Sequence, residues 1–192
     1  MSEINTTPQK IADRKAITFV ISMFVMYLIY SQGNLFMNSV MTPTGRFYNP
    51  FIANHFNYIA GLRLAIIAPS TMLIKAFGFY AIHNHQDILV VNGPYLRVSY
   101  SCLGLGVMSF LAAFTFAYPT SWRRSLKMLT IGIILVYILN ICRIAGLGII
   151  GGAFKSSRRY FEYHHEVFNV AVYIIIFTLL YFWVKRSTPN KQ

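Results

Sequence analysis

Apolar residues fill this chain in blocks of bilayer length, separated by short polar breaks. The stretches 17–36, 101–122 and 167–184 carry no charge. Each approaches the ~20 residues a helix needs to cross ~30 Å of hydrocarbon. A fourth block, 128–154, is interrupted only by Arg143. The pattern predicts helices over 16–36, from near Cys102 to just before Pro119, over about 125–151, and over 164–186. Residues 37–56 hold Pro43, Gly45, Asn49 and Pro50 and read as an irregular loop. Ile88 to Val91, then Asn92-Gly93-Pro94, then Tyr95 to Ser99 place a turn between β-formers, so an extended or hairpin element outside the lipid is expected at about 86–99.

The segment 57–80 fits least well. Its apolar stretch 64–74 lies between Arg63 and Lys75, and Pro69 in its middle would break or kink a helix. It spans, lies in the interface, or re-enters. Charge placement bears on the choice. Three basic groups recur at block ends: Lys10, Arg14 and Lys15; Arg123, Arg124 and Lys127; Lys185, Arg186 and Lys191. Cytoplasmic loops collect such residues. Placing all three groups inside puts the 86–99 element, Cys102 and the 152–163 loop outside. A single crossing at 57–80 would violate that parity, so the favoured expectation is an interfacial or re-entrant segment.

Composition agrees with the block pattern. Of 192 residues, 56% are hydrophobic and 11% charged. A soluble domain carries about 25% charged residues, so there is too little charge here to cover a water-facing surface. The expected fold is an all-α integral membrane protein of about five hydrophobic helices. Residues 1–15 would form a cytoplasmic tail, 16–186 one polytopic domain, and 187–192 a second cytoplasmic tail. The net charge of +12 sits at block ends, which points to membrane orientation and away from nucleic acid. The first block is read as a retained helix rather than a cleaved signal, because Ser31-Gln32-Gly33 is a weak cleavage pattern.

Few polar groups at membrane depth remain to carry chemistry. Arg143 interrupts an apolar helix, where a charge costs at least ~2.5–3.5 kcal/mol. Asn140, three residues earlier, shares its face. The plain alternative is an arginine that snorkels to water. Cys102 opens a helix after Ser99, Tyr100 and Ser101. A serine cap and the helix dipole would favour its thiolate. Gly104 and Gly106 would allow close approach. Alone, Cys102 reads better as a small packed residue. Cys142 has no activating dipole and reads as packing. His164 and His165 open the last helix on the side of Cys102 and would exchange protons near neutral pH. His83, His85, Asp87, Glu162 and Glu166 show no recognised ligand spacing, so no metal or cofactor is expected. A thiol, an imidazole and a cation on one face suffice for thiol nucleophilic catalysis.

The order Cys102-x-Gly104, Asn140-x-x-Arg143-Ile144 and His165 at the head of the last helix resembles the exosortase/archaeosortase family, over roughly residues 60–185. Two positions depart from its pattern: Leu103 stands where serine is frequent, and Asn169 where glycine is frequent. The resemblance implies a membrane cysteine transpeptidase or protease. It would cleave C-terminal sorting signals of exported proteins at the outer face of the plasma membrane, then transfer or release them. It makes Cys102 the nucleophile, Arg143 its electrostatic partner and His165 the acid–base, with His164 as the alternative. It assigns Asn140 to orienting Arg143 and puts Gly104 and His164 beside the substrate. The partner would be a membrane-spanning C-terminal tail. The competing reading is a non-catalytic membrane subunit or small transporter, in which Arg143 holds an anion or a lipid head group.

Overall fold

The computed structural model describes residues 6–153 and 161–187, with side chains over 13–153 and 168–187 and at Lys10. Among the described residues there are six α-helices: α1 (Thr6–Met41), α2 (Pro50–His55), α3 (Tyr58–Ala76), α4 (Leu105–Ala117), α5 (Trp122–Ala153) and α6 (Phe161–Ser187). All but α2 follow apolar blocks. Helix α2 forms inside the expected irregular loop 37–56, capped by the Asn49 side chain with Pro50 in its first turn. Between α3 and α4 lie β1 (Ala81–His83), β2 (Asp87–Val90), β3 (Tyr95–Arg97) and a 3₁₀ turn (Tyr100–Leu103). By length and apolarity, four stretches among the described residues suffice to cross a membrane, Pro50–Ala76 being one. Large apolar side chains such as Ile21, Phe24, Ile29, Ile174 and Phe177 face outward. The chain is thus an all-α membrane protein with a small sheet.

Pairwise contacts fix the helix directions. On α1, Phe19 stacks edge-on against Phe114 and Tyr118, Tyr27 against Phe110, and Asn34 donates to Ser109 at 3.1 Å. These pairs run in opposite order, so α1 and α4 are antiparallel. The Ser125 hydroxyl donates to the Thr115 carbonyl at one end of the α4–α5 pair, while Gly104 meets Asn140 at the other. Thus α4 and α5 are antiparallel too. Arg143 reaches Asn169, and the far end of α5 faces Trp183 and Arg186, so α6 returns alongside α5.

Helix α3 behaves differently. Its contacts with α5 rise together: Tyr137 donates to Ala65, Ser70 to Ile141, and Ile74 lies against Gly148. So α3 runs parallel to α5 and therefore to α1. It starts beside α1, where the Tyr58 hydroxyl donates to Asn34 at 2.7 Å. A return crossing would run antiparallel to α1. The chain instead doubles back through 42–57 and rises a second time in the same direction. That direction meets the parity condition, while Pro50–Ala76 is long and apolar enough to cross on its own.

Pro69 does not break α3. A proline at this position leaves the carbonyl four residues earlier, that of Ala65, without its helical donor. The Tyr137 hydroxyl supplies the missing hydrogen bond at 2.8 Å. One turn on, Ser70 and Thr71 bond back to Ile66 and Ile67, a habit of Ser and Thr in apolar helices.

The expected hairpin is β2–β3, and β1 adds a third antiparallel strand in the order β1-β2-β3. Asn92 takes φ 60 in the turn, a conformation asparagine tolerates better than most residues. Alternation puts Ile88 and Val90 inward and Leu89 outward. The inward side chains join Ile66, Ile67 and Ile74 of α3 and Ile144 of α5 in one core. A second core joins Leu111, Met128, Val136, Val172 and Ile176 from α4, α5 and α6. The sheet tip packs on the far end of α5, where a Cβ on Gly93 would come 3.1 Å from Gly152 Cα.

Candidate active site

The two cores meet at the turn before α4, and the residues singled out from the sequence gather there. Cys102 lies in the 3₁₀ turn, not in the first turn of α4. Gly104 separates the two in a left-handed conformation, φ 74, and serves as the N-cap of α4 without a side-chain hydrogen bond. The expected serine cap is therefore absent. Ser99 instead bonds Ser101 at 2.8 Å and touches the Cys102 sulfur at 3.4 Å through its hydroxyl. The thiol is half-buried and not in a disulfide. Its neighbours Ser101 and Gly104 line the same cavity as Arg143.

Gly104 is needed twice over. Positive φ strains any residue with a Cβ. A Cβ here would also stand 2.5 Å from Asn140 Nδ2 and 2.8 Å from Val136 Cγ1. This contact presses the cysteine turn onto α5 one turn away from Arg143.

Arg143 does not snorkel. Its side chain is only 6% exposed. Nη1 donates to Asn169 Oδ1 at 3.3 Å, and the guanidinium carbon lies 5.2 Å from the centre of the Phe168 ring. A cation over an aromatic face gains about 0.5–2 kcal/mol depending on desolvation. Nη2 is buried without a hydrogen-bond partner among the described residues. The sequence itself places Arg143 toward the outer end of its apolar block. It stands 19 residues past Arg124, about 28 Å along an α-helix, close to one hydrocarbon thickness. By that spacing it would lie near the opposite boundary from the Arg123–Lys127 cluster.

Asn140 is buried, and its Nδ2 has no partner among the described residues. The hydrogen bond to Arg143 comes from Asn169, not from Asn140. Ser101, Gly104, Asn140, Arg143, Phe168 and Asn169 line one cavity of about 240 Å³. Cys142 is exposed instead of packed, and lines a shallow groove with Arg143, Phe168 and Ala171. His164 and His165 fall in the first turns of α6, but their side chains lie outside the described residues.

Sequence reasoning gave no role to Asn169, Phe168 or the hydroxyl of Ser99. Asn169 had a signal: it is a lone amide in an apolar helix, four residues after His165 and so on the same helical face. Phe168 had none, because one ring among many in a lipid-facing helix does not stand out.

A protein-family model described as transmembrane exosortase matches residues 17–182. No curated protein and no solved structure matches.

Proposed function

The chain belongs to the transmembrane exosortase family, and from that premise we propose that it is a cysteine transpeptidase or protease acting on membrane-anchored C-terminal tails of exported proteins. In this reading Cys102 Sγ attacks the scissile carbonyl and forms a C–S bond. The carbonyl oxygen becomes an oxyanion, which Arg143 Nη2 stabilises. His165, with His164 as alternative, gives a proton to the departing amine as the C–N bond breaks. A thioester remains on Cys102. Water or an acceptor amine then attacks it, yields its proton to the same histidine, and expels the thiolate. Gly104 and Asn140 shape the wall along which the peptide lies. The site would face the outside of the plasma membrane, as the charge bias suggests.

One observation carries the reading. The residues on either side of the half-buried Cys102 thiol, Ser101 and Gly104, line one cavity with the buried Arg143, whose Nη2 has no hydrogen-bond partner among the described residues. A buried donor on a cation is costly to leave unpaired, and an oxyanion that exists only during reaction is the partner catalysis calls for.

The test is co-expression with an exported reporter bearing a hydrophobic helix and a basic C-terminal tail taken from the same genome. Mass spectrometry of the reporter should show a shortened tail with the native enzyme and an intact tail with Cys102→Ala. Arg143→Lys should also abolish shortening, since lysine keeps the charge but loses the planar fork. Native trapping should give a hydroxylamine-sensitive adduct on Cys102. Normal processing by both variants would remove Cys102 and Arg143 from the mechanism.

A further inference from the structure

A second charged feature lies at the end of the bundle remote from Arg143. Arg124 and Lys127, three residues apart on α5, face Arg186 in the last turn of α6 across a groove of about 330 Å³. Met128, Ile131 and Trp183 help form its walls, and no carboxylate among the described residues lines it. All three cations are exposed. Two helices thus bring like charges to a shared cleft with an apolar floor, and like charges push the helix ends apart unless an anion lies between them.

The attachment of α6 makes this matter. Among the described residues, α6 packs on α5 through Val172 and Ile176, and meets the α4 segment through ring contacts from Phe177 to Phe110 and from Trp183 to Tyr118. Its outer surface is apolar and open, with Val170, Ile174, Phe177, Tyr181 and Phe182 exposed. The same helix carries Phe168 and Asn169 to Arg143 at the other end. Repulsion at the Arg186 end therefore works against the contact that holds the arginine.

We propose that this groove binds the head group of an anionic phospholipid, whose phosphate bridges Arg124 and Lys127 of α5 to Arg186 of α6 while an acyl chain lies against Met128 and Ile131. Charge complementarity identifies the occupant: three cations at a membrane boundary above an apolar floor match a phosphate above a hydrocarbon chain. Tryptophan is also the ring favoured at head-group level. The lipid acts as a clamp between α5 and α6. This site is separate from the cysteine chemistry and does not depend on it.

Trp183 reports on the groove directly. With Trp122→Phe as background, the protein is placed in neutral phosphatidylcholine nanodiscs and titrated with phosphatidylglycerol brominated on its chains. Each basic residue contributes about fivefold to anionic-lipid affinity. Brominated phosphatidylglycerol should quench Trp183 at a mole fraction at least about tenfold below brominated phosphatidylcholine. Lys127→Gln and Arg186→Gln should each weaken that preference about fivefold. Arg186→Lys should retain it, which separates loss of charge from loss of fold. Equal quenching by the two lipids would overturn the proposal. So would full displacement of the brominated phosphatidylglycerol by millimolar inorganic phosphate, which would identify a site for free phosphate.

Discussion

Gly104 shows how one position sets the geometry of a site without touching substrate chemistry. Its φ of 74 and its closeness to Asn140 let the cysteine turn sit directly on α5. Gly104→Ala should cost roughly 1–2 kcal/mol for the left-handed backbone alone, and more because Asn140 and Val136 must move. At the nearby Gly106, a Cβ would meet nothing within 4 Å, so Gly106→Ala should be close to neutral. Thermal unfolding and reporter processing, measured on both variants, check the contrast; equal effects would contradict it. Asn169 belongs to the same scale. A hydrogen bond to a charged group contributes about 1.5–3 kcal/mol, and Asn169→Leu removes the acceptor that Nη1 of a nearly buried guanidinium uses. It should lower the melting temperature and reduce turnover together. Asn169→Asp, which keeps an acceptor, should recover much of the stability. Thermal scans of both variants in one detergent decide this; indifference to Leu would mean that Phe168 and the protein field suffice to hold the arginine.

At the scale of elements, apolar block length located the long helices but not their courses. Block ends and helix ends differ by several residues: α1 extends to Met41 and α5 starts at Trp122. Pro69 is the instructive case. Read alone, it argues against a helix through 64–74. What overrules it is a tyrosine on another helix, donating to the one carbonyl the proline orphans from 72 residues away in sequence. No local pattern contains that information. The pair yields a double-mutant cycle. Tyr137→Phe should destabilise the protein by about 1 kcal/mol, in line with hydrogen bonds between membrane helices. In a Pro69→Ala background, where the backbone amide of residue 69 can bond Ala65 itself, the same change should cost far less. Equal losses in both backgrounds would show that Tyr137 acts through packing. The sheet was legible for a related reason in reverse: Asn92-Gly93 is a local signal and its turn is locally made. Its first strand was missed because Ala81–His83 is too short to display alternation.

At the scale of the whole molecule, the candidate site was half legible. Cys102, Arg143 and Gly104 could be named because each is a rare residue type for its surroundings, and the fold sets Gly104 and Ser101, the neighbours of Cys102, around one cavity with Arg143. What could not be read was which partner each would find, since the Asn169 hydrogen bond and the Ser99–Cys102 contact depend on how turns and helices dock. The same limit applied to topology. Charge counting could state that 57–80 must not add a crossing, yet only the contact order of α3 with α5 and with Asn34 gives its direction. The course of α3 makes a prediction about the entire chain. The loop after α1 and the sheet after α3 must lie on one side of the membrane, although an apolar segment of crossing length, Pro50–Ala76, separates them. Single cysteines at Arg46 and Tyr95, placed in a background with Cys102→Ser and Cys142→Ser, should both react with a membrane-impermeant maleimide added to the same side. A cysteine at Lys127, one α4 crossing later, should react only after the membrane is opened. If Arg46→Cys and Tyr95→Cys label from opposite sides, α3 is a crossing helix and the parallel arrangement is wrong. If they label together, the cysteine turn emerges on the same side as the end of α1, with α4 as the single return pass.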